Sequence, residues 1–301
     1  MQCPTISICI PAYEMHGKGA EFLEQLFESI RQQTFQDFEV IVSDHSQDSA
    51  IREICTKWEH VFPISYLHFT EQRGNSSANL NNALNVAKGE IIKPMHQDDF
   101  FYSPTALQEI VGAVSRNPDF VWVASGFVHT NEKRSHFYRY QMPVFLPDTQ
   151  LIRNTIGAPS VMFFRNHKAI SFDENLIWMN DAELTYRLNA QFGRPFILET
   201  TLVVIRQWSR QVTHTLARKT VRLNEIRYCV RKHHCWFRFI TAEILLRFRR
   251  ICGLVPAHSG TSDLFESLVE SHPETRQQPV DVGRGDHTQP QRKASSEKSA
   301  R

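Results

Sequence analysis

The stretch Gly89-Glu90-Ile91-Ile92-Lys93-Pro94-Met95-His96-Gln97-Asp98-Asp99 places two adjacent carboxylates just beyond an apolar run. Residues 91–95 form a short, mostly apolar run, which predicts a buried β-strand. Asp98 and Asp99 then lie at the carboxyl end of that strand. Their mutual repulsion raises a pKa unless a cation or another positive group neutralises them.

Two interpretations of this pair are open. Adjacent carboxylates suit a hard divalent ion such as Mg²⁺ or Mn²⁺, which typically shares its coordination shell with phosphate oxygens. Alternatively, Asp99 and Ser103 cap a helix whose first residue is Pro104. A motif this short needs its structural context before either interpretation is preferred.

The segments before the pair alternate between strand and helix patterns. Strands are predicted at residues 5–10, 39–44, 64–69 and 91–95, and helices at 20–33, 49–58 and 77–87. Strands joined by helices pair in parallel through right-handed crossovers, so helices cover both faces of the sheet. Ligands of such sheets bind outside the carboxyl ends of the strands. Tyr13, Asp44 and the Asp98/Asp99 pair all fall there, which indicates a single polar site.

Separate motifs follow these strands in a fixed order. They are Pro11-Ala12-Tyr13, then Ser43-Asp44-His45-Ser46-Gln47-Asp48, then residues 77–90, which contain Asn81 and Ala87-Lys88-Gly89-Glu90. In these motifs, roughly from residue 5 to residue 213, the chain resembles the family 2 glycosyltransferases. The resemblance implies an α/β GT-A fold: a Rossmann-like, mostly parallel sheet with helices on both faces, plus C-terminal helices.

The resemblance also implies roles on the donor side. Pro11-Ala12-Tyr13 lines the nucleoside pocket, with Tyr13 stacked on the base, and Asn81 belongs to the donor site. Asp44 accepts a hydrogen bond from the base or ribose, although a turn or helix-cap role stays open. Asp99 is the implied ligand of Mn²⁺ or Mg²⁺, with Asp98 beside the ion or the donor sugar. The ion stabilises charge on the departing nucleotide.

Two positions near this site depart from the family pattern. Leu80 replaces a frequent Arg, so one donor contact is expected to be lost. His96 stands where an acid is usual, and it is either a further metal ligand or a neutral histidine with a hydrogen-bonded role.

The loop at residues 206–213 resembles the segment that closes over the diphosphate in many relatives. Trp208 stands where they often carry a metal-binding His, so no third metal ligand is assigned there. Arg206, Arg210 and Gln211 are candidates for phosphate contact, since guanidinium groups suit oxyanions. A solvated basic loop is the alternative.

The acceptor side is predicted in the second half of the chain, where a Gly/Pro-punctuated loop at 156–164 enters a buried strand. Asp181 opens an amphipathic helix that runs to about Phe192. By the resemblance, Asp181 is the general base that accepts the proton of a sugar hydroxyl as it attacks. Asp181 also suits a helix N-terminus, and the two roles are compatible. Glu183 is the alternative base.

Composition indicates a soluble enzyme with one large core. The chain has 301 residues, 41% hydrophobic, a formal net charge of +2 and six scattered cysteines. With no signal peptide before Thr5, a reducing cytoplasm is expected, with possible attachment at the inner face of the cell membrane. Cys229, His233, His234 and Cys235 cluster, but no second ligand pair at zinc-finger spacing accompanies them.

Basic residues dominate from Arg206 to Arg250. An apolar stripe with helical spacing accompanies them: Trp236, Phe237, Ile240, Ile244, Phe248 and Ile251. This stripe either lies on an anionic membrane surface or packs on protein, and it is too charged to span a bilayer. No nucleic-acid module is present, and the oligomeric state is left open.

The predicted domains follow from these patterns. Residues 1–215 form the catalytic domain, with a nucleotide-sugar part at 5–128 and an acceptor part at 129–215. A basic helical extension covers 216–270, and a disordered tail covers 271–301.

The predicted function is metal-assisted transfer of a sugar from a nucleotide diphosphate donor to a hydroxyl acceptor, with inversion. The acceptor class is a glycan, a lipid-linked sugar or a polysaccharide precursor. One alternative is a binding-only homologue, favoured by His96, Leu80 and Trp208. The other is a nucleotidyltransferase, for which Gly17-Lys18-Gly19 is a weak phosphate-loop signal.

Overall fold

The computed structural model describes residues 4–151, 154–167, 169–211 and 219–235. Within them, nine strands form one mixed sheet in the order β3-β2-β1-β4-β8-β6-β9-β5, and β7 pairs with β6 outside that path. The strands are β1 (Ile6–Ala12), β2 (Phe38–Asp44), β3 (Ile64–His68), β4 (Ile91–Pro94), β5 (Phe100–Phe101), β6 (Trp122–Asn131), β7 (Phe137–Gln141), β8 (Met162–Arg165) and β9 (Phe196–Gln207).

Helices alternate with the first four strands. They are α1 (Gly19–Arg31), α2 (Ala50–Trp58) and α3 (Ser76–Val86), followed later by α4 (Ala106–Arg116), α5 (Asn180–Phe192) and α6 (Lys219–Lys232). β1 pairs in parallel with β2 and β4, and β2 pairs in parallel with β3. The predicted crossover topology of this half is therefore confirmed, within two residues at each boundary.

The second half of the sheet is mixed. β8 runs antiparallel to both β4 and β6, whereas β6 and β9 are parallel. β8 is the buried strand that the Gly/Pro-punctuated stretch at 156–164 is predicted to enter. It lies between the parallel part of the sheet, β1 to β4, and the part that contains β6 and β9, so both parts belong to one continuous sheet.

The core is built from the predicted apolar faces. The face of α1 that carries Phe22, Leu23, Leu26, Phe27 and Ile30 is fully buried, and each such side chain contributes about 2 kcal/mol to folding. Sterics explain the glycine in the motif at residues 87–90. A Cβ on Gly89 would lie 2.6 Å from the backbone nitrogen of Ser7, so only glycine lets the chain pass β1 this closely.

The helix-cap interpretation of Asp99 is wrong. α4 begins at Ala106, with Thr105 at its N-cap position and no side-chain hydrogen bond there. Asp99 lies between β4 and β5, well before this helix. Ser103 and Pro104 form a turn instead, so the carboxylate pair is free for another role.

Two features concern the C-terminal predictions. No helix in the described ranges is both long enough and apolar enough to cross a membrane. The apolar stripe from Trp236 to Ile251 and the tail at 271–301 lie outside the described residues.

Candidate active site

The carboxyl ends of β1, β2 and β4 bring the predicted site residues to one edge of the sheet. Ala12, the last residue of β1, pairs with Asp44, the last residue of β2. β4 lies on the other side of β1, with Pro94 opposite Cys9, and Asp98 and Asp99 follow it. The predicted convergence on one edge is therefore seen.

His96, Asp98 and Asp99 form a compact cluster. Each offers one ligand atom, and these atoms lie within 4.8 Å of one another, the one such cluster among the described residues. Asp98 and Asp99 are almost fully buried. Two carboxylates and an imidazole suit Mn²⁺, and carboxylate oxygens also suit Mg²⁺. The donor set thus fits the ion that the sequence predicts.

Electrostatics at the cluster favour an added cation. Burial raises the pKa of Asp99 well above its usual range, and the neighbouring Asp98 raises it further. Burial lowers the pKa of His96, so its imidazole is held in the neutral form that binds metals. A bound divalent cation would reverse the penalty on the Asp99 carboxylate.

Arg206 lies beneath the carboxylates, and sequence reasoning did not anticipate its position. Its backbone N–H donates to Asp99 Oδ1 at 3.2 Å, and its Nε donates to the carbonyl oxygen of Asp98 at 2.8 Å. The remaining guanidinium nitrogens donate to the Glu132 carbonyl oxygen and to Gln25 Oε1. The guanidinium also stacks on Phe22, 4.4 Å from the ring centroid.

The predicted phosphate contact of Arg206 stays a prediction, and it would compete with these internal hydrogen bonds. The residue is fully buried, and its guanidinium nitrogens are engaged inside the protein. Arg210 is exposed on the same loop, and its phosphate role stays a prediction.

Replacing Arg206 should destabilise the fold. In Arg206→Met, Asp98 and Asp99 would remain buried without this compensating charge, so the free energy of unfolding should fall by about 3 kcal/mol or more. Urea unfolding monitored by circular dichroism measures this loss. The exposed Arg210→Met is the matched control, expected to change stability by less than about 0.5 kcal/mol. Equal stability of Arg206→Met and wild type would contradict the account.

Trp208 and Gln211 both hold Asp98. The Trp208 indole N–H donates to Asp98 Oδ2 at 3.1 Å, and Gln211 Nε2 donates to the same oxygen at 3.3 Å. Trp208 is buried and meets Phe22 edge-on, with ring centroids 5.5 Å apart. Where relatives often place a metal-binding His, this chain therefore orients the Asp98 carboxylate. Gln211 does the same, so its predicted phosphate contact has a competing partner.

Tyr13 lies beside this cluster. Its backbone N–H donates to Gln97 Oε1 at 2.7 Å, while Gln97 Nε2 donates to the Gly19 carbonyl oxygen. Its half-buried ring packs with Met15, Phe22 and Trp208. The end of β1 is therefore tied to the start of α1 and to the carboxylate site.

Asp44 is fully buried and hydrogen-bonded within the protein. Oδ1 accepts from the Ser46 backbone N–H at 2.8 Å, and Oδ2 accepts from the Tyr66 hydroxyl at 2.7 Å. Asp44 does not cap α2, whose N-cap residue is Ser49. Its predicted contact with the donor stays a prediction.

Asn81 is hydrogen-bonded within the protein. Its Nδ2 donates to the Phe172 carbonyl oxygen and to Glu174 Oε1, and its Oδ1 accepts from the Phe172 N–H. Both ends of the amide thus fasten the loop between β8 and α5. The predicted donor contact of Asn81 stays a prediction, and it would compete with these hydrogen bonds to the loop. Leu80, beside it, is core.

Asp181 lies near the start of α5, where Met179 is the N-cap residue. Its Oδ1 accepts from the Ala182 N–H at 2.7 Å, and its Oδ2 accepts from Asn154 Nδ2 at 2.6 Å. Burial raises the pKa of Asp181 to about 7. A carboxylate tuned near neutrality is suited to accept a proton from a hydroxyl group.

Glu183, the alternative base, is less suited than Asp181 to accept a proton. It is fully buried and ion-paired with Arg187, Lys232 and His233. Although burial alone would raise its pKa, hydrogen bonds from these partners lower it to about 2. A carboxylate this acidic is a poor proton acceptor at neutral pH.

The cysteine and histidine cluster near the end of α6 is structural. Cys229 and Cys235 are buried in an apolar cluster, and His233 contacts Glu183 at 3.0 Å. A zinc site is therefore not formed by these residues.

Comparison with known proteins decides the family. The model of Glycosyl transferase family 2 matches residues 7–174, more than half of the chain. The chain belongs to glycosyltransferase family 2.

Relatives within this family are distant. An uncharacterized glycosyltransferase of Rickettsia typhi is 25% identical over 231 residues, covering 70% of this chain and 67% of the relative. An uncharacterized glycosyltransferase of Rickettsia felis is 26% identical over 198 residues. The chain spans only 31% of the length of that relative, although the match covers 62% of this chain.

Solved structures confirm the predicted GT-A fold. S. aureus TarS 1-349 in complex with UDP-GlcNAc aligns with a TM-score of 0.55 and 15% identity, covering 71% of this chain and 61% of TarS. Mannosyltransferase PcManGT from Pyrobaculum calidifontis, in complex with GDP-Man and Mn²⁺, aligns with a TM-score of 0.51 and 17% identity, covering 90% and 80%.

Proposed function

We propose that this family 2 member transfers a sugar from a nucleotide diphosphate donor to a hydroxyl acceptor, with inversion and metal assistance. The observation that carries the proposal is the cluster of partly buried His96 with buried Asp98 and Asp99 at the carboxyl edge of the sheet. The solved relatives support it, since TarS binds UDP-GlcNAc and PcManGT binds GDP-Man with Mn²⁺.

Pro11, Ala12 and Tyr13 line the nucleoside pocket, and Asp44 supplies polar recognition from the end of β2. Asp98 and Asp99 hold the ion together with His96, while Trp208 fixes the orientation of Asp98. When bound, Mn²⁺ or Mg²⁺ neutralises charge on the diphosphate leaving group.

On the acceptor side, Asp181 accepts the proton of the attacking hydroxyl. Asn154 Nδ2 donates a hydrogen bond to Asp181 Oδ2, which fixes the orientation of the Asp181 carboxylate. The acceptor is a glycan, a lipid-linked sugar or a polysaccharide precursor. In this scheme residues 1–215 are the catalytic domain, with donor and acceptor parts at 5–128 and 129–215.

Thermal shift with a panel of nucleotide sugars and Mn²⁺ tests the donor. A ligand that binds only the folded state stabilises it by about 2.7 kcal/mol at 100 times its Kd, so the matching donor should raise Tm by several degrees. Chelation with EDTA should remove the shift. A panel in which no nucleotide or nucleotide sugar shifts Tm would contradict the proposal.

The two alternative functions differ in what they predict. A binding-only homologue would show the same thermal shift without turnover. A nucleotidyltransferase would need a glycine-rich phosphate loop, and Gly17-Lys18-Gly19 does not supply one in this structure. Lys18 is instead ion-paired with Glu21 at 3.0 Å and with Glu132 at 3.7 Å.

Peripheral attachment to an anionic membrane is proposed for the stripe at 236–251. In the full chain, replacing Arg247, Arg249 and Arg250 with Glu should weaken co-sedimentation with phosphatidylserine vesicles, since each basic residue contributes about 1 kcal/mol. Added salt should weaken it as well. If the wild-type chain and the triple Glu variant both failed to pellet with the vesicles at low salt, the stripe would pack on protein instead.

A further inference from the structure

Glu225 of α6 binds the backbone that leads into α5. Its carboxylate accepts hydrogen bonds from three consecutive N–H groups: Ile177 at 3.0 Å, Trp178 at 3.0 Å and Met179 at 2.8 Å. Glu225 is only 7% exposed. Backbone N–H groups before and within a first helical turn lack intrahelical partners, and a negative charge there also favours the helix dipole. One side chain from a distant helix thus fixes the entry into α5.

Other contacts of α6 surround the same segment. Lys232 and Tyr228 bind Asp173 at 2.6 Å and 2.9 Å, and Lys232 and His233 bind Glu183. An apolar cluster fills the space between the two helices, formed by Leu151, Leu176, Met179, Ala182, Cys229, Val230 and Cys235. α6 is therefore fastened to the chain on both sides of Asp181.

The position of Asp181 depends on the backbone of residues 177–179, because Asp181 lies two residues beyond Met179. The side chains that act on its carboxylate come from two further elements. Asn154, from the loop before β8, is neutral and donates to Oδ2, whereas Glu225, from α6, is an acid whose charge raises the pKa of Asp181 beyond the effect of burial. On α5 itself, Glu183 is bound by Arg187, Lys232 and His233.

We propose that α6 contributes to the acceptor site, because its Glu225 is a positioning residue for Asp181. This inference rests on the function proposed above, since it takes Asp181 as the base. α6 lies beyond residues 7–174, the part matched by the family model. The contact between Glu225 and the start of α5 is therefore made outside the matched part of the chain. A change in the attachment of α6 would alter both the orientation and the protonation of the base.

Titration of Asp181 in the full-length protein tests this inference without any substrate. Glu225→Gln keeps an acceptor oxygen but removes the charge, so the carboxyl carbon of Asp181, followed by NMR, should titrate roughly half a unit to one unit lower in pH. Asp181→Asn identifies the signal. Glu59→Gln makes the same charge change at the exposed end of α2 and should leave the titration unmoved.

Transfer kinetics supply the second measurement. Glu225→Ala removes the acceptor of three N–H groups, so transfer should fall about tenfold or more through misplacement of the base, while calorimetric donor binding stays unchanged. In Glu225→Gln the rise of kcat/KM with pH should shift to lower pH by the same amount as the NMR titration of Asp181. Circular dichroism reports folding, and if Glu225→Ala does not fold, the Glu225→Gln titration decides alone.

The outcomes separate the two claims. An unmoved Asp181 titration in Glu225→Gln would overturn the inference and leave the proposed function intact. Wild-type transfer by Asp181→Asn would overturn the base assignment and the inference with it.

Discussion

Asp99→Asn should abolish the Mn²⁺-dependent binding of a nucleoside diphosphate while the protein stays folded. Asparagine keeps the shape of the side chain and an oxygen that can accept the Arg206 backbone N–H, but it removes the negative charge that holds the ion. Loss of an outer-shell partner already costs about 10- to 100-fold in metal affinity. Removal of a ligand should therefore lower affinity by about 100-fold or more.

Isothermal titration calorimetry with UDP or GDP in the presence of Mn²⁺ measures this loss. Asp119→Asn is the matched control, because it makes the same change at an exposed position before β6. Its binding should equal that of wild type. Unchanged Mn²⁺-dependent binding by Asp99→Asn would remove the metal assignment.

Asp181→Asn should retain donor binding but lower the rate of sugar transfer by about 10²- to 10⁴-fold, the usual size of a lost general base. Asparagine preserves the hydrogen bond from Ala182 and the packing at the start of α5. It lacks the proton acceptor. Transfer assays with the matching donor, together with calorimetry of donor binding, separate the two effects.

The comparison variant is Glu183→Gln. Since Glu183 is ion-paired with Arg187, Lys232 and His233, this change should lower stability more than it changes the chemistry. Near-native transfer by Asp181→Asn would show that another group accepts the proton.

The pH dependence of transfer follows from the same carboxylate. A base must be deprotonated to act, and burial raises the pKa of Asp181 to about 7. In wild type, kcat/KM should therefore rise as pH increases through about 7 and level off above it. In Asp181→Asn this limb should vanish.

The strands and helices of the first half of the chain could be predicted from the sequence, because short-range patterns determine them. The alternation of apolar runs and amphipathic segments placed β1 to β4 and α1 to α3 within two residues, because each pattern reports on local burial. The topological rule for open parallel sheets then brought Ala12, Asp44 and the Asp98/Asp99 pair to one edge.

The contacts that sequence missed join residues far apart in the chain. Arg206 lies 107 positions from Asp99, and a basic residue in a loop motif gives no sign that it is buried under two carboxylates. Glu225 stands in a segment dominated by basic residues, and this local pattern does not indicate that it binds the backbone of residues 177–179. Asn81 matched the donor motif by spacing, but its amide geometry serves a loop 91 positions away. Pairings of this kind are decided by tertiary packing rather than by local pattern.

Nucleotide release is the most direct test of the central claim. Wild-type protein is incubated with the donor that gives the largest thermal shift, with Mn²⁺ and with a set of hydroxyl acceptors, and free nucleotide is measured against the Asp99→Asn and Asp181→Asn variants. The account predicts release that depends on Mn²⁺ and on acceptor, and that is lost in both variants. Release at equal rates in all three proteins, or none from wild type with any donor and acceptor, would contradict it.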